Sequence, residues 1–300
     1  MDSGPNWRTL EPSSIVLLGF VACPLSRRLR LKGLAAVLLV LSGTAFACPE
    51  QGSQGCLGEL QVTGGGDQAR RQVIAVATTV MDRLKHAFKT SSFDIRVGLE
   101  APLEAEACPA RAFAAFVRGR GLVGIHFDDD WSEATLARIV AHEIAHLFHF
   151  DQIKSSEGPS GDAILKEGLA TWLAEPEWLA GIGYESFQQA VNVYREDGRY
   201  LGLAEYYDIS PHTLMDTQEA CYALRDMQYT QWAGFVGFLI EHYGMDAVIA
   251  ASAQPRILLP GAVGSDQFEP VDYLEAFGAS ISELETRWLL ELSQGDQLGE

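Results

Sequence analysis

The feature that most limits what this chain can fold into is an apolar run near its middle that carries reactive side chains. Leu136, Ile139, Val140, Ile144, Leu147 and Phe148 recur at the spacing of one helix face, and His142, Glu143 and His146 stand among them. Residues four apart lie on the same face one turn apart, so the two imidazoles project side by side. Glu143 lies about 100° round the helix from His142. Apart from these three and His149, residues 139–149 are uncharged, so the helix is expected to be buried. Buried polar side chains need partners, and paired imidazoles with a neighbouring carboxylate are suited to a metal ion. Asp130 followed by Glu133 gives a capping-box signature, which predicts a helix over about residues 131–150.

A third ligand is then required, and Glu167 is the candidate. It stands in Lys166-Glu167-Gly168-Leu169-Ala170-Thr171, on a second helix expected from about residue 162 until Pro176 stops it. Gly168 and Ala170 leave room for another helix to come close. Two neutral nitrogens and a carboxylate suit Zn2+ and leave a fourth position for water, whose pKa the metal lowers. Glu143, too far round the helix to bind the same ion, is placed to act as general base.

His142-Glu143-Ile144-Ala145-His146 followed some twenty residues later by Glu167-Gly168-Leu169-Ala170 resembles the gluzincin metallopeptidases, in particular their peptidase-MA-like branch. The likeness continues weakly at residues 229–244, which resemble that branch's later helix ending in Tyr-Gly, and at residues 274–290, which resemble its closing helix. It implies a zincin-like α+β fold, zinc held by His142, His146 and Glu167, and hydrolysis of peptide bonds with Glu143 as base. It also implies an oxyanion-stabilising phenol at Tyr229, with Tyr222 as the fallback donor and a plain core aromatic as the alternative for Tyr229. The Gly-x-Met-Glu-Asn segment of related aminopeptidases is missing, so the likeness does not extend to recognition of a free amine. His149 does not complete a metzincin pattern, because Gln152 stands where a histidine would be needed. His149 and His126 are read as structural. Gly55-Cys56-Leu57 resembles the cysteine ligand of peptide deformylases, without their Gly-rich partner segment.

The rest of the chain reads as scaffold. Residues 72–88 carry Val73, Val76, Val80, Leu84 and Phe88 at helical spacing. Residues 93–99, 111–117 and 122–127 are strand-like, the last two forming a hairpin around Gly119. Further helices are expected at residues 187–194, 222–242 and 281–292. The expected fold class is thus α+β: a small mixed sheet before the active-site helix and a mostly α C-terminal half. It divides into residues 71–160 as an α+β part and 161–300 as a helical part, with a peptide substrate adding along an edge at residues 122–127.

Ahead of this domain, Arg27, Arg28, Arg30 and Lys32 precede the apolar residues 34–41 and then Ala45-Phe46-Ala47, the layout of an export signal over residues 1–47. Residues 26–32 also resemble a twin-arginine signal; an uncleaved anchor or a lipid on Cys48 are the alternatives. Residues 48–70 read as a lead-in or short prosegment. Cys48, Cys56, Cys108 and Cys221 would give two disulfides in a periplasmic or secreted protein, with three possible pairings. Without the signal, 17 basic residues face 38 acidic ones, a net charge of about −21. Such a surface repels phosphate backbones and anionic lipid, so nucleic acid is not an expected partner, nor is stable membrane embedding; peptide or protein substrates are. The competing readings are a catalytically silent gluzincin-fold binding protein and a zinc hydrolase acting on a non-peptide bond.

Overall fold

Short segments rich in β-branched and aromatic residues pair into a four-stranded mixed sheet: β1 (Leu60–Gly64), β2 (Ile95–Glu100), β3 (Ala112–Val117) and β4 (Arg120–His126). The computed structural model describes residues 60–89, 93–100, 110–117, 119–128, 130–154, 162–203, 217–254 and 272–295. The expected export signal and Cys48, Cys56 and Cys108 lie outside the described residues; Cys221 is buried. The disulfide pairing therefore lies outside them too.

The strands run in the order β1-β2-β4-β3, with β1, β2 and β4 parallel and β3 antiparallel to β4. Two sequence expectations change here. Residues 60–64 belong to the sheet rather than to a lead-in, because Leu60 and Val62 pair with Ile95 and Val97 and pack on the core. Residues 122–127 do not form an edge, because β4 lies between β2 and β3. Among the described strands the edges are β1 and β3. Gly64 turns the chain with φ +78°, where a side chain would collide with the Leu99 carbonyl, and α1 (Asp67–Phe88) starts three residues later.

One face of the sheet is apolar by period two. Ile95, Val97, Leu99, Val123 and Ile125 are buried in one cluster with Val73, Ala77, Val80 and Leu84 of α1 and with Ile144, Leu147 and Phe148 of α2 (Glu133–Gln152). Gly121 lets α2 approach: a Cβ there would lie 2.6 Å from Leu147 Cδ1. The cap of α2 is Ser132, whose hydroxyl accepts from Thr135 N, not Asp130 as the sequence signature suggested.

The remainder is helical. Asp162 caps α3 (Ala163–Leu173) by accepting from Ile164 N and Leu165 N. The helix breaks at Ala174, and Pro176 sits in the first turn of α4 (Glu175–Ile182), so this proline begins a helix as well as ending one. Then come α5 (Phe187–Glu196), α6 (Gln218–Tyr243), α7 (Met245–Ser252), α8 (Tyr273–Phe277) and α9 (Ile281–Gly295). The expected closing helix is two pieces, separated at Gly278 with φ +72°. Packing of α3 on α6 is close because Gly168 has no side chain; a Cβ would lie 2.7 Å from Trp232 O and 2.8 Å from Val236 Cγ2. No described helix is long and apolar enough to cross a membrane.

Candidate metal centre

The site is built where α2, α3 and α6 meet. Helix α2 is wrapped on all sides, so His142, Glu143 and His146 are each at least nine-tenths buried. The four-residue spacing brings His146 Nε2 to 3.0 Å from His142 Nε2. Glu167 Oε2, on α3, lies 3.1 Å from each of these nitrogens. Three donor atoms thus form a nearly equilateral triangle. Its edges are slightly shorter than the roughly 3.4 Å expected between ligands of a tetrahedral nitrogen and oxygen shell. Among the described residues this is the group of histidine, cysteine and carboxylate side chains that could hold a metal ion. Hydrogen bonds alone satisfy it poorly, because a neutral imidazole offers one proton and an ionised carboxylate none.

The electrostatics favour ligand forms. Burial pushes the Glu167 carboxyl up, but Lys166 Nζ, 2.9 Å from Oε1, together with both histidines, holds it well below the usual range. Glu167 therefore stays ionised, with Oε1 tied to Lys166 and Oε2 turned to the imidazoles. Burial lowers His146 to about 4, so it is neutral with a lone pair to give. Glu143 is raised to about 7 by burial, against the opposing field of His142. A carboxyl with a pKa near neutrality can both take and return a proton under ordinary conditions.

No model of a known protein family matches the sequence, and no curated protein does.

Tyr229 is brought to the triad. Its ring stacks on His142 at 5.4 Å and 14°. Its hydroxyl donates to the Glu167 carboxylate, and burial, with that carboxylate's charge, raises the phenol well above its ordinary pKa. Tyr222, two turns earlier, lies elsewhere: Arg111 sits over its ring at 3.9 Å. His149 is outside the triad, with Nε2 2.7 Å from Ser252 Oγ, and burial lowers it to about 3. His126 pairs with Glu100 at the end of β4, at 4.0 Å.

Three neighbours escaped sequence reasoning. Thr171 Oγ1 lies 3.1 Å from His142 Nδ1; its position one turn after Glu167 was the available signal. Lys166 was visible only as the residue before the ligand. Trp178 comes from α4 to lie 5.5 Å from the His142 ring and gives its Nε1–H to Thr230 Oγ1 at 3.0 Å, a placement no local pattern encodes. Behind it, Arg138 and Arg111 share Asp226 at 2.6 Å and 3.0 Å, which ties α2 and the start of β3 to α6 three residues before Tyr229.

Proposed function

We propose that this chain is an exported zinc metallopeptidase with a zincin-like fold of the gluzincin, peptidase-MA-like kind, acting on peptide or protein substrates. The observation that carries this reading is the triangle of His142 Nε2, His146 Nε2 and Glu167 Oε2, with edges of 3.0–3.1 Å, beside a buried Glu143.

Zinc held by those three atoms would supply Lewis acidity towards a carbonyl and towards water. Glu143, buried beside the donor triangle, accepts the water's proton and returns it to the departing amine. Tyr229 turns its phenol from Glu167 to the oxygen that gains negative charge, and burial keeps that phenol protonated. Lys166 neutralises the outer oxygen of Glu167 and leaves the inner one for the metal.

The substrate is expected to lie along β3. Because His126 N donates to Arg111 O, the pairs 111–126, 113–124 and 115–122 are the hydrogen-bonded ones. Ala112, Ala114 and Phe116 then turn their backbone groups to the outer edge of the sheet, where an extended peptide can pair with them.

The deciding experiment is elemental analysis of the mature protein, residues 48–300, beside a His142→Ala/His146→Ala double variant. About one zinc per chain, lost in the double variant, is the expected result and would justify a peptide-library screen. Absence of zinc from both proteins would overturn the reading.

A further inference from the structure

The second nitrogen of a ligating imidazole decides which lone pair the first can present. His142 has a partner for it: Nδ1 is 3.1 Å from Thr171 Oγ1, and both residues are buried. Thr171 follows Glu167 by one turn of α3, so one helix face supplies both a carboxylate at the triad and a hydroxyl behind it. His146 has no such support, because its Nδ1 is buried without a hydrogen-bond partner. With the proton on His142 Nδ1, Nε2 is a bare lone pair 3.1 Å from Glu167 Oε2. Two facing lone pairs are relieved only by a proton from His146 Nε2 or by a cation.

We propose that Thr171 is a positioning residue that holds His142 in its Nδ1–H tautomer and thereby sets the affinity of the triad for metal. This rests on the reading of the triad as a zinc site. The hydroxyl accepts from Nδ1–H, stops the ring from turning over, and leaves Nε2 aimed at the point shared with His146 and Glu167. It does so without adding charge, so the only anion in the triad remains Glu167. His142 and Glu167 form a preset pair, and His146 is the ligand whose tautomer must adjust when metal enters.

The test uses Thr171→Val and Thr171→Ala, which remove the hydroxyl at two different volumes, and Thr171→Ser, which keeps it. Zinc affinity of the mature protein, residues 48–300, is measured by competition with a chelator, and Tm is measured on each metal-free form. Affinity is expected to fall about 10- to 100-fold in the Val and Ala variants and to return with Ser, while the metal-free proteins stay folded. Unchanged affinity in Val and Ala overturns the proposal, as does weakening confined to variants whose metal-free form has already melted. If the wild-type protein binds no zinc at all, the metal reading itself fails, which separates that outcome from a failure of Thr171 alone.

Discussion

Among single residues, labour is divided between the donor atoms that α2 and α3 bring together and the side chains beside them. Glu167 contributes a donor atom, so Glu167→Ala is expected to cut metal occupancy sharply. Glu143→Gln should retain metal and lose turnover by about 10²- to 10⁴-fold, the range for a lost general base. Elemental analysis and peptide cleavage on the same preparations check both, and stoichiometric zinc without Glu167 would sink the ligand assignment. Tyr229→Phe keeps the ring against His142 and removes only the donor; kcat should fall about 10²-fold at unchanged metal content. His149 gives a pH prediction on the metal-free protein. Its folded pKa is lowered to about 3 from an ordinary 6.5, so below pH 6.5 the unfolded chain takes up a proton that the folded one refuses. Its share of stability is complete above pH 6.5 and is lost progressively towards pH 3. Between pH 7.5 and 5 the wild type should lose roughly 2 kcal/mol relative to His149→Gln, read by urea unfolding at the two pH values.

Elements set the distances that residues then use. The contact between α3 and α6 depends on Gly168, one position after Glu167, whose missing Cβ lets Trp232 O and Val236 approach. Gly168→Ala pushes the helices apart and is expected to cost about 1–3 kcal/mol. It should also weaken metal binding, since Glu167 moves with α3. Denaturant unfolding with and without zinc separates the two effects, and full affinity at reduced stability would show that the triad tolerates the shift. Helix α2 was legible as an element because apolar periodicity and the uncharged run around His142 coincide. Its first residue was not, since Ser132 and Asp130 are both good cap types and only the backbone decides between them. The strand at Leu60–Gly64 was missed for a related reason. Five residues before a Gly-rich turn carry too little alternation to distinguish an edge strand from a leading segment until a neighbour pairs with it.

For the molecule as a whole, the order β1-β2-β4-β3 determines which strand meets a substrate. If peptides pair with the outer edge of β3, Ala114→Pro removes an outward N–H without breaking the ladder to β4. KM should rise about tenfold or more while the fold and metal content persist; an unchanged KM would place the substrate elsewhere. Features dictated by local geometry were already set in the amino-acid order. A four-residue spacing puts His142 and His146 on one face, an unbroken apolar surround buries them, and an excess of acidic residues gives the chain its charge. Features that depend on meetings between distant segments came from the folded arrangement alone: Glu167 Oε2 against both imidazoles, Thr171 behind His142, Trp178 and Tyr229 beside them, and β3 rather than β4 at the edge. Periodicity reports the face a residue occupies, whereas its partner across a packed interface is selected by close approach and strand order, which no local window of sequence contains.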